Sequence, residues 1–315
     1  METNHQGTPK ALDALKRMMA PCVLCPRQCR INRMAGENGF CGLTAEVVVS
    51  DALPHHGEEP PFSGIHGAGT IFFSSCNLRC IFCQNHQISR RTTGQIMDPE
   101  GLAHVMLKLQ NVGCHNIDAV TPTPQTPLIM AALLSARRQG LTIPFIYNCG
   151  GYETSEVIRM LAGMVEIYLP DMKYGHNDLA WQFSGAKDYA VHAMASLKEM
   201  TAQVGDGIEV VDGIARRGII IRHLVLPGML DNSFAIMEMI RKELSTQIPL
   251  SIMSQYTPAA QAQSHPLLGR RLYREEYERV VNYALDLGFK QIFIQQVDER
   301  NLLPDFEKQA PFNWE

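Results

Sequence analysis

From Thr70 onward the chain alternates between two kinds of apolar pattern. Short runs of consecutive apolar residues are followed by longer runs in which apolar residues recur every three or four positions. Runs of the first kind at 70–74, 116–120, 144–148, 165–169, 218–226 and 250–254 read as strands, and 291–297 as one more. Runs of the second kind read as helices. Asp98-Pro-Glu100 begins one with an N-cap acid and a first-turn proline, and Gly113 ends it. Others fall at 127–139, at 154–161 behind a capping threonine, and at 188–204, 231–244 and 273–287.

Strand–helix alternation of this kind predicts an α/β fold with a parallel sheet. Six units fit a complete or partial barrel, or an open doubly wound sheet. Before Thr70 the pattern differs. Residues 9–20 read as a short helix, and 47–49 as a short strand. The stretch between them, Cys22 to Gly42, is punctuated by Gly36, Gly39 and Gly42 and favours neither helix nor strand. His55-His-Gly-Glu-Glu-Pro-Pro61 reads as a loop, with His55, His56, Glu58 and Glu59 facing water or, as the alternative, a substrate.

Composition narrows the function classes. The chain has 315 residues, enough for a sizeable core, and a formal net charge of -4. That balance does not suggest a nucleic-acid partner. The polar N-terminus lacks the apolar centre of a signal peptide, and no run reaches the ~20 apolar residues of a membrane span. The expected location is therefore the cytoplasm, with no membrane partner. Nine cysteines are present. Seven are clustered, as Cys22/Cys25/Cys29/Cys41 and Cys76/Cys80/Cys83, which points to metal rather than disulfides.

The first buried strand leads straight into Ser74-Ser-Cys-Asn-Leu-Arg-Cys-Ile-Phe-Cys-Gln-Asn85. Three thiolates on one short loop can hold three irons of a four-iron cluster and leave the fourth open for a small molecule. C-x3-C-x2-C with an aromatic, here Phe82, before the last cysteine resembles the radical S-adenosylmethionine (SAM) superfamily. The resemblance implies a partial (β/α)6 TIM-like barrel with a Cys-rich metal-binding segment before it. It implies a [4Fe–4S] cluster on Cys76, Cys80 and Cys83 whose open iron takes the amine and carboxylate of SAM. One electron, from a donor such as flavodoxin or ferredoxin, then splits a C–S bond. The resulting 5′-deoxyadenosyl radical abstracts hydrogen from substrate. Phe82 and Asn85 would frame the adenine side.

The other strand ends are unusually polar, and in parallel α/β proteins ligands gather there. Thr121-Pro-Thr-Pro124 stands where most family members carry a glycine-rich G-G-E segment, so the hydroxyls of Thr121 or Thr123 are candidate acceptors for the SAM ammonium. Asn148, beside Gly150 and Gly151, is a candidate SAM contact, and Cys149 reads as a packed side chain. Asp171 and Lys173 are two apart and share a face of an extended chain. Their D-x-K pattern resembles that of glycyl-radical-enzyme activases, where it holds the SAM carboxylate and ribose. Arg222, alone in an apolar run, needs an anion: the SAM carboxylate, or an internal acid such as Asp171. His223 points the other way, as a core histidine. Gln255 and Tyr256 could meet adenine or substrate.

Within the superfamily the chain looks most like PflX proteins, related to pyruvate formate-lyase activating enzyme. The resemblance rests on C-x2-C-P-x2-C, His56-Gly-Glu-Glu-Pro60, Val120-Thr-Pro-Thr123, Tyr168-Leu-Pro-Asp-Met-Lys-Tyr174 and Arg222-His-Leu-Val-Leu-Pro-Gly228. It implies hydrogen abstraction from a protein or peptide substrate. Ala68 and Ser75 stand where the activases proper carry a basic residue and a glycine, so this subtype rests on analogy. The alternatives are modification of a small metabolite or RNA, and a non-catalytic iron–sulfur or zinc protein. The expected organisation is a helical tail over 1–20, a Cys-rich segment over 21–60, the radical SAM core over 61–290 and a strand and tail over 291–315. Cys22, Cys25, Cys29 and Cys41 are expected to form a second metal site, for which zinc and an auxiliary iron–sulfur cluster both stand open, with free thiols as the remaining alternative.

Overall fold

The computed structural model describes residues 8–297 and 303–312. The ends of the expected tails, 1–7, 298–302 and 313–315, lie outside the described residues. The strands are β1 (Val47–His55), β2 (Ala68–Phe73), β3 (Gln95–Met97), β4 (Ile117–Val120), β5 (Phe145–Cys149), β6 (Ile167–Pro170), β7 (Ile208–Val211), β8 (Ile214–Ile219), β9 (Ile221–Leu224), β10 (Leu250–Met253) and β11 (Ile292–Ile294). The helices are α1 (Thr8–Arg17), α2 (Pro60–Ser63), α3 (His86–Ser89), α4 (Pro99–Asn111), α5 (Thr126–Arg138), α6 (Ser155–Met160), α7 (Asn177–Ser184), α8 (Tyr189–Val204), α9 (Leu230–Glu243) and α10 (Arg274–Asp286).

The fold is α/β with a mostly parallel central sheet. β2, β4, β5, β6 and β8 run parallel, flanked by antiparallel β1 and β3 at one side and β7 at the other. β9, β10 and β11 form a second parallel sheet. The two are joined at β6. A bridge pairs Asp171 with Arg222, and the Met172 amide donates to the Arg222 carbonyl at 2.7 Å. The parallel strands thus succeed one another as a partial barrel. β2, β5 and β6 are buried at every position, as uniformly apolar strands require. Between them α4 packs on α5, α6 on α8 and α9 on α10.

Most predicted elements are present, including the last strand at β11. Three differ. The run 218–226 is one apolar stretch in sequence but two strands in space, because the chain changes partner from β6 to β10 at Ile220. Gly218, at φ 131°, lies so close to the Gly207 carbonyl that a Cβ would meet it at 2.2 Å, so only glycine fits this turn-over from β7. The expected short strand at 47–49 continues as β1 to His55, pairing with β2 where a loop was expected to begin. Thr154 starts α6 without capping it, and its hydroxyl is buried with no partner. Asp98, by contrast, caps α4 through the Gly101 amide at 2.7 Å.

Candidate functional site

The three thiols of Cys76, Cys80 and Cys83 open into a cavity of about 330 Å³ at the C-terminal ends of the strands. β2 delivers the chain there, and a tight loop follows in which Ser75 and Arg79 take positive φ of 72° and 56°. Side chains from outside it, near and far in sequence, pin this loop. Arg90 donates to the Cys80 carbonyl at 2.9 Å and Arg27 to the Asn77 carbonyl at 2.9 Å. The Asn77 amide in turn reaches the Tyr152 carbonyl at 2.7 Å. The thiols are themselves hydrogen-bonded. The Leu78 amide lies 3.3 Å from the Cys76 sulfur and the Ser184 hydroxyl 3.0 Å from that of Cys80. Burial, and then the neighbouring Cys80, pushes the Cys76 thiol up to about 12, and the same causes raise Cys83. Three thiolates crowded here need a cation to share.

The donor set fits a four-iron cluster. Among the described residues no three His, Cys, Asp or Glu side chains are closed up around a single ion. The wall beside the three thiols carries a buried polar atom with no protein partner, Asn85 Oδ1. Such atoms are uncommon unless a ligand meets them.

The same cavity gathers most residues read from the sequence. Phe82, Asn85, Thr121, Asn148, Asp171, Lys173, Arg222 and Gln255 all line it. Phe82 also wedges into an aromatic group with Tyr174, Phe183 and Tyr256, at ring separations of 6.3 to 6.4 Å. Thr121 holds φ 63°, a strained setting for a β-branched residue, with its amide on the Asn148 carbonyl at 2.9 Å. Lys173 Nζ lies 2.5 Å from Asp171 Oδ2. Burial disfavours the ammonium, but Asp171 outweighs it and holds Lys173 above its ordinary value. Tyr189 of α8 fixes this loop, its hydroxyl donating to the Gly150 and Asp171 carbonyls and accepting from the Lys173 amide at 3.0 Å.

Two candidates face elsewhere. Thr123 is buried and donates to Glu153 Oε1 at 2.6 Å, because the chain after Thr121 turns into a single 3-10 turn and carries the next hydroxyl inward. Tyr256 is buried, with its hydroxyl on the Leu268 carbonyl at 2.6 Å. His223 is a satisfied core histidine, held between the Met172 carbonyl and the Ser233 hydroxyl at 2.8 Å each. Burial lowers its pKa to about 4, so it is neutral.

The acids before β2 are not solvated. Glu58 and Glu59 are buried against Arg222. Its Nε donates to Glu59 Oε1 at 2.8 Å, and its Nη2 to Glu59 Oε2 at 2.6 Å and to Glu58. Burial would raise Glu59, but Arg222 outweighs it and holds the carboxyl below its ordinary value. Sequence reading treated the guanidinium and the acids separately. A lone buried arginine and two adjacent acids ahead of a Pro-Pro helix start are each other's signal. Asp118, an acid inside apolar β4, was also passed over. It is fully buried, accepts from Thr70 at 3.3 Å and from Asn148 at 3.4 Å, and keeps Oδ1 without a partner. Burial, and then Glu58, raises it well above the carboxylate range.

At the outer rim, residues 303–312 cross the cavity edge. Pro304 and Phe312 line it, Phe306 and Phe312 stack near Phe72 at 5.3 and 5.1 Å, and Gln87 donates to Asp305 at 3.0 Å.

Comparison with known proteins agrees with this geometry. The family model of the radical SAM superfamily matches residues 70–240, from β2 into α9. The chain belongs to the radical SAM superfamily. Radical SAM proteins are enzymes, and membership implies a [4Fe–4S] cluster and SAM as cofactors. Two relatives come from Methanocaldococcus jannaschii. The protein MJ0674 is 30% identical over 288 residues, covering 88% of this chain and 79% of its own. MJ0808 is 25% identical over 296 residues, covering 88% and 81%. Among solved structures, the fold is like that of Streptococcus suis SuiB, with a TM-score of 0.50 at 10% identity, covering 71% of this chain and 47% of SuiB. SuiB bound to S-adenosylmethionine gives a TM-score of 0.50 at 10% identity, with 70% and 48% covered. The chain thus spans about half the length of SuiB. No helix among the described residues is long and apolar enough to cross a membrane.

Proposed function

We propose that this radical SAM enzyme binds SAM between the Cys76–Cys83 loop and the Asp171–Lys173 pair and abstracts hydrogen from a protein or peptide substrate, in the manner of a glycyl-radical activase. One observation carries the reading: the three thiols and the charged pair line a single cavity of about 330 Å³. The solved fold neighbour SuiB takes the same cofactor. Cys76, Cys80 and Cys83 would hold the cluster. The cluster and SAM together supply reductive cleavage of a C–S bond and the carbon radical that removes a substrate hydrogen.

The chain's own residues bind and orient. Lys173, kept cationic by Asp171, is placed to meet a carboxylate, and Asp171 to meet a hydroxyl or ammonium. Thr121 and the strand-end carbonyl beside it offer acceptors to an ammonium. Phe82 offers an apolar face, and Asn85 an unpartnered acceptor. Arg222 spends its Nε and Nη2 on Glu58 and Glu59, so its charge is already compensated and its part is to hold the cavity wall. Asp118, its carboxyl raised by burial, sits behind Asn148 and accepts from its side-chain amide at 3.4 Å, which orients Asn148 at the cavity wall. The activase reading, with PflX-like kinship and a flavodoxin- or ferredoxin-class donor, rests on the D-x-K pattern and its seat in the cavity.

Anaerobic turnover with dithionite tests the reading. Formation of 5′-deoxyadenosine from SAM, with deuterium transfer from a labelled glycyl peptide, is the expected result. A confirmed four-iron cluster that yields no 5′-deoxyadenosine would sink it. Transfer from a small metabolite but from no peptide would remove the activase part.

A further inference from the structure

Behind the cluster loop, two buried hydroxyls are strung in line onto the Cys80 sulfur. Ser184, the last residue of α7, places its Oγ 3.0 Å from Cys80 Sγ. Tyr174, next to Lys173 on the chain after β6, places its hydroxyl 2.6 Å from Ser184 Oγ. Both side chains are buried, that of Tyr174 completely. A helical serine commonly bonds back to its own helix. This one turns instead to the loop of another element. The order of donation follows from the chemistry. Each hydroxyl has one proton to give. A metal-bound cysteine is a thiolate, so Cys80 can only accept. Ser184 must then spend its proton on the sulfur. Its oxygen is left as an acceptor, and the Tyr174 hydroxyl donates into it.

The fold holds this line in place from three sides. Arg27 donates Nη2 to the Ser184 carbonyl at 2.8 Å and Nη1 to that of Gly185, while its Nε takes the Asn77 carbonyl at 2.9 Å. One guanidinium therefore ties the end of α7 to the cluster loop. Arg27 comes from the Cys-rich segment, where Cys22, Cys25, Cys29 and Cys41 line one small cavity of about 20 Å³. Next to Cys80, the Ile81 amide donates to the Phe183 carbonyl at 2.9 Å, so the residues flanking the contact are joined as well. Around it the rings of Phe82, Phe183 and Tyr174 pair at 6.3 to 6.5 Å and keep water out. In so dry a place hydroxyls in series polarise one another, and a hydrogen bond to a charged sulfur keeps its strength.

We propose that Ser184, backed by Tyr174, is a positioning residue that sets the reduction potential of the SAM-side cluster through Cys80. Hydrogen bonds onto cluster sulfurs offset negative charge, which favours the reduced state and raises the potential. The setting decides how strong an electron donor the enzyme needs. The proposal rests on the reading of Cys80 as a cluster ligand, and not on the identity of the substrate.

The test is an EPR-monitored redox titration of the anaerobic, iron-loaded full-length chain, following the reduced signal that SAM perturbs. Ser184→Ala should lower the midpoint, shifting the ratio of reduced to oxidised cluster at a fixed poise by roughly three- to tenfold, up to about 59 mV for one electron. Tyr174→Phe, which loses one oxygen and keeps the ring, should shift it the same way by less. The double variant should match Ser184→Ala alone, because Tyr174 acts through Ser184. Ser184→Thr, which keeps the hydroxyl, should return the midpoint to that of wild type. An unmoved midpoint in Ser184→Ala at wild-type iron content, or a double variant whose shift is the sum of the two, would overturn the inference and leave the cluster ligands standing. If Ser184→Ala fails to fold, an unmoved midpoint in Tyr174→Phe overturns it by itself. A wild type with no SAM-sensitive signal would overturn the ligand reading and this inference together.

Discussion

Lys173 Nζ and Asp171 Oδ2 meet at 2.5 Å on the wall that the three cluster-loop thiols share. The pair is neutral as a unit and only partly buried, so as a structural ion pair it contributes little. Its place matters more. Removing the ammonium from a charge-assisted contact costs about 1.5–3 kcal/mol, a ten- to hundredfold loss of affinity. Lys173→Ala should weaken SAM binding by that factor in calorimetry on the iron-loaded protein, with little change in thermal midpoint.

Arg222 between Glu58 and Glu59 is the reverse case, structural first. Arg222→Met strands two buried carboxylates, which should destabilise the fold by about 3–5 kcal/mol at pH 7. Glu59 is held below its unfolded value of 4.5, so its contribution is present above that pH and lost as pH falls through the folded value. The gap between variant and wild type in urea unfolding should therefore narrow below pH 4.5. An unchanged gap at low pH would speak against the pairing.

Glu153 shows the opposite sign. Burial raises its carboxyl to about 7 from 4.5. Such a group is neutral in the fold below about pH 7. The associated stability is intact below pH 4.5 and lost as pH rises through about 7. Glu153→Gln should be nearly neutral at pH 4.5 and stabilising by roughly 3 kcal/mol at pH 8. The measurement is the pH dependence of the difference in unfolding free energy.

Thr121 and Thr123 separate binding from stability. Thr121→Ala removes a hydroxyl at the cavity wall and should weaken SAM binding without a large change in stability. Thr123→Ala leaves Glu153 short of its 2.6 Å donor and should cost about 1–3 kcal/mol of stability with SAM affinity unchanged. Equal effects of both on affinity would contradict the geometry.

These pairs also show what the sequence makes legible. The cluster loop, the strand ends and the helix stops are local patterns, and local patterns survive reading in one dimension. Asp171 and Lys173 could be placed together because two residues on a strand share a face. Arg222 could not be matched to Glu58 and Glu59, since more than 160 residues separate them and only the join of β6 to β9 brings them together. Thr123 was misplaced for a subtler reason. A 3-10 turn begins there, and alternation no longer tells inside from outside once the strand has ended. The apolar run through Ile219, Ile220 and Ile221 hid a change of sheet, because burial looks the same on either side of it.

The rim segment gives the site an order of completion. When synthesis has passed Gln255, the chain already contains every thiol and polar group that lines the cavity from the strand ends. The wall made by Pro304 and Phe312 arrives dozens of residues later, and it closes against Phe72 of a strand made near the start. A chain shortened ahead of Pro304 would keep its metal-binding and cofactor-holding residues but present them in an open trough. The rim over 303–312 is thus what turns a set of ligands into a chamber.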